Sequence, residues 1–477
     1  MRRALIVAAA LLTGCAVGPD YRQPATAPAV IASAQQPQFA PVAPQAQWWG
    51  EFGDSELDGL VRRALAANLD LAAAAARVRE ARAVFSGSRY ELAPHVPLTA
   101  SYDKGASQQP GFGTARIPVA SDQLGFDAQW ELDLFGHVRR SIEAARADLG
   151  VQQAEQRGAA VAVAAEVARN YFVLRGTQTR LDVARRNLDS ERQTEDLTRV
   201  RYQGGRVSEL DVERAQARLM ATRASIPPLE AQEQQAKYRL AVLLGLRPGA
   251  LDAELQPAQI RPFATALPVG DTGALLRQRP DVAASERRLA AASARVGVAT
   301  AELFPRVTVS GFAGFLSGDV GQLFSTSGAN DARAWSVTPS VSWAALDFGS
   351  VHARLRGRRA ELDEARALYE QTVLTALEET ENAFVAYAKE QSALASLTEQ
   401  ARASAHAAEL ADLQYRAGVA DFLTLLDAQR TQLEAEDALA EAQTEVNVRA
   451  VAIYKALGGV APAGGADPAR LADTHRR

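Results

Sequence analysis

The stretch Tyr415–Arg430, reading YRAGVADFLTLLDAQR, occurs twice in this chain. Its counterpart, Tyr202–Ala217 (YQGGRVSELDVERAQA), aligns with it without a gap. Tyr202 falls on Tyr415, Gly205 on Gly418, Leu210 on Leu423, Ala215 on Ala428 and Gln216 on Gln429. In both copies an Ala-rich helical pattern runs up to the tyrosine. A glycine follows where a helix can end in a left-handed cap, and a polar N-cap candidate, Ser208 or Asp421, opens a new amphipathic run. The pattern predicts a helical hairpin, present twice.

The repetition continues upstream. Trp130, Phe135, Gly136, Val138, Arg146 and Leu149 match Trp343, Phe348, Gly349, Val351, Arg359 and Leu362. Asp70, Glu91, Leu92, Pro94 and Val96 match Asp281, Glu302, Leu303, Pro305 and Val307. Length alone would allow about three domains, but a repeat on this scale argues for one duplicated unit. The expected organisation is a signal at 1–14, a tether at 15–47, a first repeat at 48–245, a linker at 246–270, a second repeat at 271–458 and a polar tail at 459–477.

Several function classes drop out. With a net charge of −4 and no basic patch interleaved with aromatics, nucleic acid is not an expected partner. The histidines (His95, His137, His352, His406, His475) lack ligand spacing, so no metal site is expected. There is no nucleophile–base pair and no glycine-rich phosphate loop, so neither a catalytic residue nor a cofactor is expected.

Cys15 is the only cysteine. Before it stand Arg2 and Arg3, a short apolar run from Ala4 to Leu12, then Thr13 and Gly14. This is a secretory signal, too short to remain as a spanning helix. No other stretch is long and apolar enough to be a transmembrane helix. Residues 16–47, rich in Pro, Ala and Gln, carry no helical or strand period and read as an extended tether.

Two segments alternate strictly. Leu124, Phe126, Ala128, Trp130 and Leu132 are interleaved with Gly125, Asp127, Gln129, Glu131 and Asp133. Trp335, Val337, Pro339, Val341 and Trp343 are interleaved with Ser336, Thr338, Ser340 and Ser342. Such alternation is a strand with one apolar face, of a length that crosses a bilayer when tilted. Val96–Tyr102 and Val307–Phe315 are the partner candidates, across loops at 103–118 and 316–332. A soluble sandwich is the alternative. Trp130 and Trp343 at the same strand end, as membrane-interface aromatics, and the lack of another sheet favour a barrel. Four strands cannot close one, since an open edge in lipid leaves backbone groups unpaired. Three copies would supply twelve strands.

The helical readings are long. A helix is expected from Leu57 to about Leu92, closed by Pro94. No proline interrupts residues 119–226 or 340–461. Small or apolar residues recur at heptad spacing, at Ala160, Val167, Leu174, Leu181 and Leu188, and at Val373, Thr380, Tyr387, Leu394, Ala401, Ala408 and Tyr415. Helices are therefore expected from about His137 to Arg201 and from about Val351 to Tyr415. Return helices are expected from Ser208 to Leu244, broken at Pro227-Pro228, and from Asp421 to about Leu457.

Together the motifs LTGCAVGPDY (Leu12–Tyr21), WWGEFGDSELDGL (Trp48–Leu60), ELDLFG (Glu131–Gly136), LRQRPDVAASERRL (Leu276–Leu289) and YRAGVADFLTLLDAQR (Tyr415–Arg430) make the chain resemble the TolC-like outer membrane factor family, in its NodT-type lipoprotein branch. The resemblance implies a mixed α and β membrane protein: a trimeric 12-stranded outer-membrane β-barrel, four strands per chain, continued by a periplasmic α-helical barrel. It implies a homotrimer serving as the exit duct of a tripartite efflux pump, with a periplasmic adaptor and an inner-membrane pump, of the RND type, as partners. Leu12–Cys15 resembles a lipobox, which implies lipidation of Cys15 and contact with outer-membrane lipid. At the hairpin turns, Gly205, Arg206, Val207, Ser208, Gly418, Val419 and Ala420 fall where the family docks its adaptor, although either glycine alone would also serve as a plain cap. Leu423, Asp427 and Arg430 share a helix face and fall where the family closes its periplasmic gate; the alternative there is a surface ion pair. The exit duct of a type I protein secretion system and a periplasmic coiled-coil scaffold are the competing functions.

Overall fold

The computed structural model describes residues 16–24, 31–45, 47–108, 116–260, 263, 266–328 and 331–459. Cys15 with its signal, and the tail beyond Gly459, lie outside the described residues. Contacts divide the chain into two units, residues 1–25, 76–153 and 284–371, and residues 26–75, 154–283 and 372–477.

The first unit holds a four-stranded antiparallel sheet of β2 (Leu98–Gln108), β3 (Arg116–Leu132), β5 (Arg306–Ser317) and β6 (Arg333–Ser342), in the order β2-β3-β5-β6. Its register keeps apolar residues opposite apolar ones. Leu98 faces Phe126, Phe126 faces Ala313, and Ala313 faces Trp335. The other face carries Thr99, Gln123, Asp127, Ser310, Thr338 and Ser340. A side-chain period of two makes this sorting possible only in one register. Residues 103–108 and 116–118, expected in a loop, are strand. Their Gly, Ser, Asp and Lys residues have low strand propensity, but each is paired across the β2/β3 hairpin, and pairing overrides propensity.

One apolar ring lies on the polar face. Phe312 covers the backbone of β3, so that a Cβ at Gly125 would stand 2.6 Å from its ring and 2.8 Å from the Ala313 carbonyl oxygen. At Gly314 a Cβ would collide with Gly125 and the Leu124 carbonyl. Both glycines are therefore required by close approach.

At the foot of β3, Asp133 accepts hydrogen bonds from the Val138 and Arg139 N–H groups, at 3.1 and 2.9 Å, and so starts the next helix. Residues 16–24, the start of the stretch expected as an extended tether, are docked. The buried Arg140 donates to the Val17 carbonyl (3.1 Å) and to Asp20 (2.7 Å), Tyr21 donates to Glu286, and Gly18 at φ 93° lies against Gly297.

The second unit carries the main hydrophobic core. Trp48 stacks on Tyr454 with 5.1 Å between ring centroids, and Phe39 packs on Phe384 at 4.6 Å. Around them lie Leu57, Leu60, Val167, Leu174, Leu240 and Ile453, all fully buried. A short parallel pairing of β1 (Phe39–Ala40) with β4 (Leu267–Pro268) ties the N-terminal segment in.

Helices α1 (Ser55–Ala67) and α2 (Leu69–Tyr90) replace the single helix expected from Leu57 to Leu92. The break is Asn68. Its side chain accepts from the Asp70 and Leu71 N–H groups and its amide donates to the Leu243 carbonyl, so it caps one helix while tying down the end of another. Helices α3 (His137–Gln203) and α7 (Phe348–Ala417) run for 67 and 70 residues. On them the heptad residues Val167, Leu174, Leu181, Thr380, Tyr387, Ala401, Ala408 and Tyr415 are buried. The return helices are α4 (Glu209–Leu243) and α8 (Phe422–Ala456). Contrary to expectation, α4 is continuous through Pro227 and Pro228. Two prolines remove two helical donors. Both are exposed, as are Arg223 and Ala224, so the carbonyls freed one turn earlier are left to water. Two shorter helices, α5 (Thr272–Gln278) and α6 (Pro280–Ala301), complete the set.

Candidate functional site: the helical turns and the sheet

The two turns are built alike. After α3, Gly205 takes φ 72°, and the Arg206 N–H donates back to the Arg201 carbonyl at 2.9 Å. After α7, Gly418 takes φ 74°, and the Val419 N–H donates to the Gln414 carbonyl at 2.9 Å. This bond, six residues to one across a left-handed glycine, is a Schellman closure. Ser208 then caps α4 through a reciprocal capping box with Asp211, and Asp421 caps α8 by accepting from the Thr424 N–H (2.8 Å) and hydroxyl (2.6 Å). Those bonds from Thr424 hold the Asp421 carboxyl below its usual range.

Their surroundings differ. Tyr415 is buried, its hydroxyl 3.2 Å from Thr198 Oγ1 and its ring 4.2 Å beneath the Arg201 guanidinium. It packs with Phe422, Leu425 and Ala215. Its repeat partner Tyr202 is 43% exposed. The repeat flagged both tyrosines, but the burial of only one was not legible, because Thr198 and Arg201 are replaced by Ala411 and Gln414 in the second copy.

Among the expected docking residues, Gly205, Arg206, Ser208, Gly418 and Val419 are exposed, while Val207 and Ala420 are half-buried. Val419, at 80% exposure, is an apolar side chain standing in water. The structure brings the three expected gate residues onto one exposed face of α8. Leu423 is 55% exposed, and Asp427 accepts from Arg430 at 3.0 Å. Phe422, Leu425 and Gln429 take the opposite, buried face. The Asp427–Arg430 pair is solvated, and Arg430 also stands 3.9 Å from Glu434, so within one chain it contributes little.

Trp130 and Trp343 stand at the same end of β3 and just past β6. Their indole N–H groups donate to the Leu92 and Leu303 carbonyls, 3.0 Å each. The two contacts are repeat copies of one another. Among the described residues no cluster of three or more His, Cys, Asp or Glu could hold a metal, and no helix is long and apolar enough to cross a membrane.

A feature that sequence reasoning did not single out is the buried Arg279, inside the LRQRPDVAASERRL motif. It donates to Asp281 and Glu379 at 2.7 Å each, to the Ala456 carbonyl at 2.8 Å and to the Ala376 carbonyl at 3.3 Å. One guanidinium thereby joins the start of α6, the middle of α7 and the end of α8.

A duplicated chain pairing a one-sided amphipathic sheet with very long helical hairpins defines the class of outer-membrane channels. The family model described as outer membrane efflux protein matches residues 60–246 and 273–459, and the chain belongs to that family. It is 31% identical to the toluene efflux pump outer membrane protein TtgC of Pseudomonas putida over 95% of this chain and 94% of that protein. Against the outer membrane protein OprJ of Pseudomonas aeruginosa it is 32% identical, over 99% and 97%. The solved structure of the outer-membrane channel OprN is similar with a TM-score of 0.89 and 48% identity, over 93% of this chain and 99% of that one. The fold is that of a trimeric channel, three four-stranded sheets making a twelve-stranded barrel that long helices continue.

Proposed function

We propose that this outer-membrane efflux channel is the passive exit duct of a tripartite pump, carrying small molecules received from an inner-membrane transporter through a periplasmic adaptor. The carrying observation is the pair of helical turns. Each is rigidly capped yet presents apolar side chains to water, Val419 at 80% and Leu210 at 56% exposure. Apolar groups held out on ordered turns suit a protein partner. TtgC, by its name, belongs to a toluene efflux pump, which supports small-molecule cargo; in this reading the inner-membrane transporter is of the proton-coupled RND type. No observation favours protein secretion or a scaffold.

In this reading Gly205, Arg206, Val207, Ser208, Gly418, Val419 and Ala420 form the adaptor seat. Val419→Asp is expected to abolish efflux while expression and trimer mass stay at parental level; unchanged drug tolerance would count against docking here. Leu423, Asp427 and Arg430 form the gate. Threefold symmetry would bring carboxylates of like charge together on the axis, to be offset by Arg430. Asp427→Ala and Arg430→Ala are each expected to raise single-channel conductance, and two variants that conduct like the parent would reduce the pair to a surface contact. Cys15 carries the lipid, which the mass of the mature N-terminus checks. Trp130 and Trp343 mark the membrane interface.

A further inference from the structure

Helix α6 is covered along one stripe and hollowed along the other. Glu286, Ala290 and Gly297, which share a face at helical spacing, carry the docked N-terminal segment through Tyr21 and Gly18. On the far side of the helix, Arg295, Val298 and Ala299 line a cavity of about 520 Å³ that α3 and α7 complete. Its aliphatic lining is small, with Ala144 and Ala145 of α3 beside Val298 and Ala299. Three ion pairs line it as well. Arg295 donates to Asp148 at 2.6 Å, Arg354 to Glu302 at 2.9 Å and Arg358 to Glu361 at 2.7 Å.

The cavity belongs to the lumen side of the wall on two counts. The opposite stripe of α6 holds the segment that leads back to Cys15, and a lipid on Cys15 reaches the membrane only from outside the duct. A second cavity shares Glu302 and Arg354 with the first and extends to Glu131 and Arg306. The alternation along β3 and β5 puts these two on the polar face of the sheet with Asp127 and Ser310, and the polar face of a membrane barrel lines its lumen.

We propose that this cavity is a binding station on the duct wall for small zwitterions, molecules that carry a carboxylate and a protonated amine on one compact body. Its part in transport rests on the efflux reading. Cavities of about 300–1,000 Å³ hold ligands of drug size. The charges in the lining balance, arginine against carboxylate in each pair. A lone anion would meet all the carboxylates and a lone cation all the guanidiniums, so a molecule with both charges gains what neither gains alone. Each pair in place uses one nitrogen and one oxygen. That leaves guanidinium N–H groups and a carboxylate oxygen in every pair for a ligand. Arg354 and Arg358, four apart on α7, share a helix face, and the arginine fork is the donor that a carboxylate takes in two bonds. All three guanidiniums are about half exposed, and solvated pairs of this kind are exchanged at little cost. Such a station holds cargo briefly and lets it go, as conduction requires.

The test uses the full-length trimer in detergent and three dyes with one xanthene body: tetramethylrhodamine, a zwitterion; its methyl ester, a cation; and fluorescein, an anion. Fluorescence anisotropy gives the Kd of each. The parent is expected to bind the zwitterion at least several-fold more tightly than either of the others. R354Q/R358Q is expected to shift the preference to the methyl ester, and E302Q/E361Q to fluorescein, with the trimer mass unchanged. Equal affinity of the parent for the three dyes, or an order that neither variant moves, overturns the station. Should the double variants fail to assemble, V298W, which fills the cavity and keeps every charge, is expected to weaken zwitterion binding several-fold; unchanged affinity overturns the station equally. Drug tolerance of cells separates this from the efflux reading. A parent that confers no tolerance while the dyes bind in the stated order loses the efflux reading and keeps the site. One that confers tolerance while the dyes bind without order keeps efflux and loses the site.

Discussion

Arg279 is the residue on which most depends. Its guanidinium satisfies two carboxylates and two helix carbonyls at once, in a site where the side chain is only 7% exposed. Removing it takes a buried donor from each of two helix carbonyls and leaves two carboxylates, each about half exposed, without their partner, at about 1–3 kcal/mol in all. Arg279→Ala is expected to lower thermal stability by that order, and Arg279→Lys to recover only part, since an ammonium cannot reproduce the planar fork. A melting curve in detergent checks both. Burial by itself would raise the Asp281 pKa, but the hydrogen bond and charge of Arg279, with the Val282 N–H, hold it below the ordinary range. A depressed carboxylate contributes stability above its unfolded pKa, about 3.9, and loses it as pH falls through the folded value. Acidification below about pH 4 should therefore destabilise the parent more steeply than Arg279→Gln; parallel curves would contradict the coupling. The sequence displayed this arginine inside a motif, yet its role was illegible, because the carbonyls it binds lie about 100 and 180 residues away and have no side-chain signature.

Elements were legible wherever the side chains follow a period. The alternation over Leu124–Leu132 foretold a strand because its two faces differ in polarity, and the heptads from Val167 to Leu181 foretold a helix because one buried face imposes one repeat on the side chains. What escaped were places where local chemistry and tertiary context disagree. Asn68 breaks a helix inside an unbroken helical pattern because Leu243 offers it a carbonyl. Gly105 and Ser107 extend a strand because the facing strand pairs them. Pro227 and Pro228 do not interrupt α4, since the groups they free face solvent. The last case yields a prediction. A proline inside a helix costs about 3 kcal/mol relative to alanine, less here with water available. Replacing both prolines by alanine should therefore raise the melting temperature with efflux unchanged. A lower melting temperature would mean that the pair shapes α4 rather than being merely tolerated by it.

The duplicated plan governs the whole molecule, but the halves have not stayed equivalent. Tyr415 is clamped by Thr198 and Arg201 of its own chain, while Tyr202, its copy, remains 43% exposed. A ring built from such chains therefore has two sorts of hinge in alternation, one fastened by a buried hydroxyl and a cation over an aromatic face, the other without either fastening inside the protomer. Six look-alike helical turns are thus expected to behave as three pairs, with an aperture that yields between neighbours and widens with triangular rather than hexagonal symmetry. Tyr415→Ala unfastens the inner set and is expected to raise conductance beyond what Tyr202→Ala does; equal effects of the two substitutions would return the ring to six equal leaves.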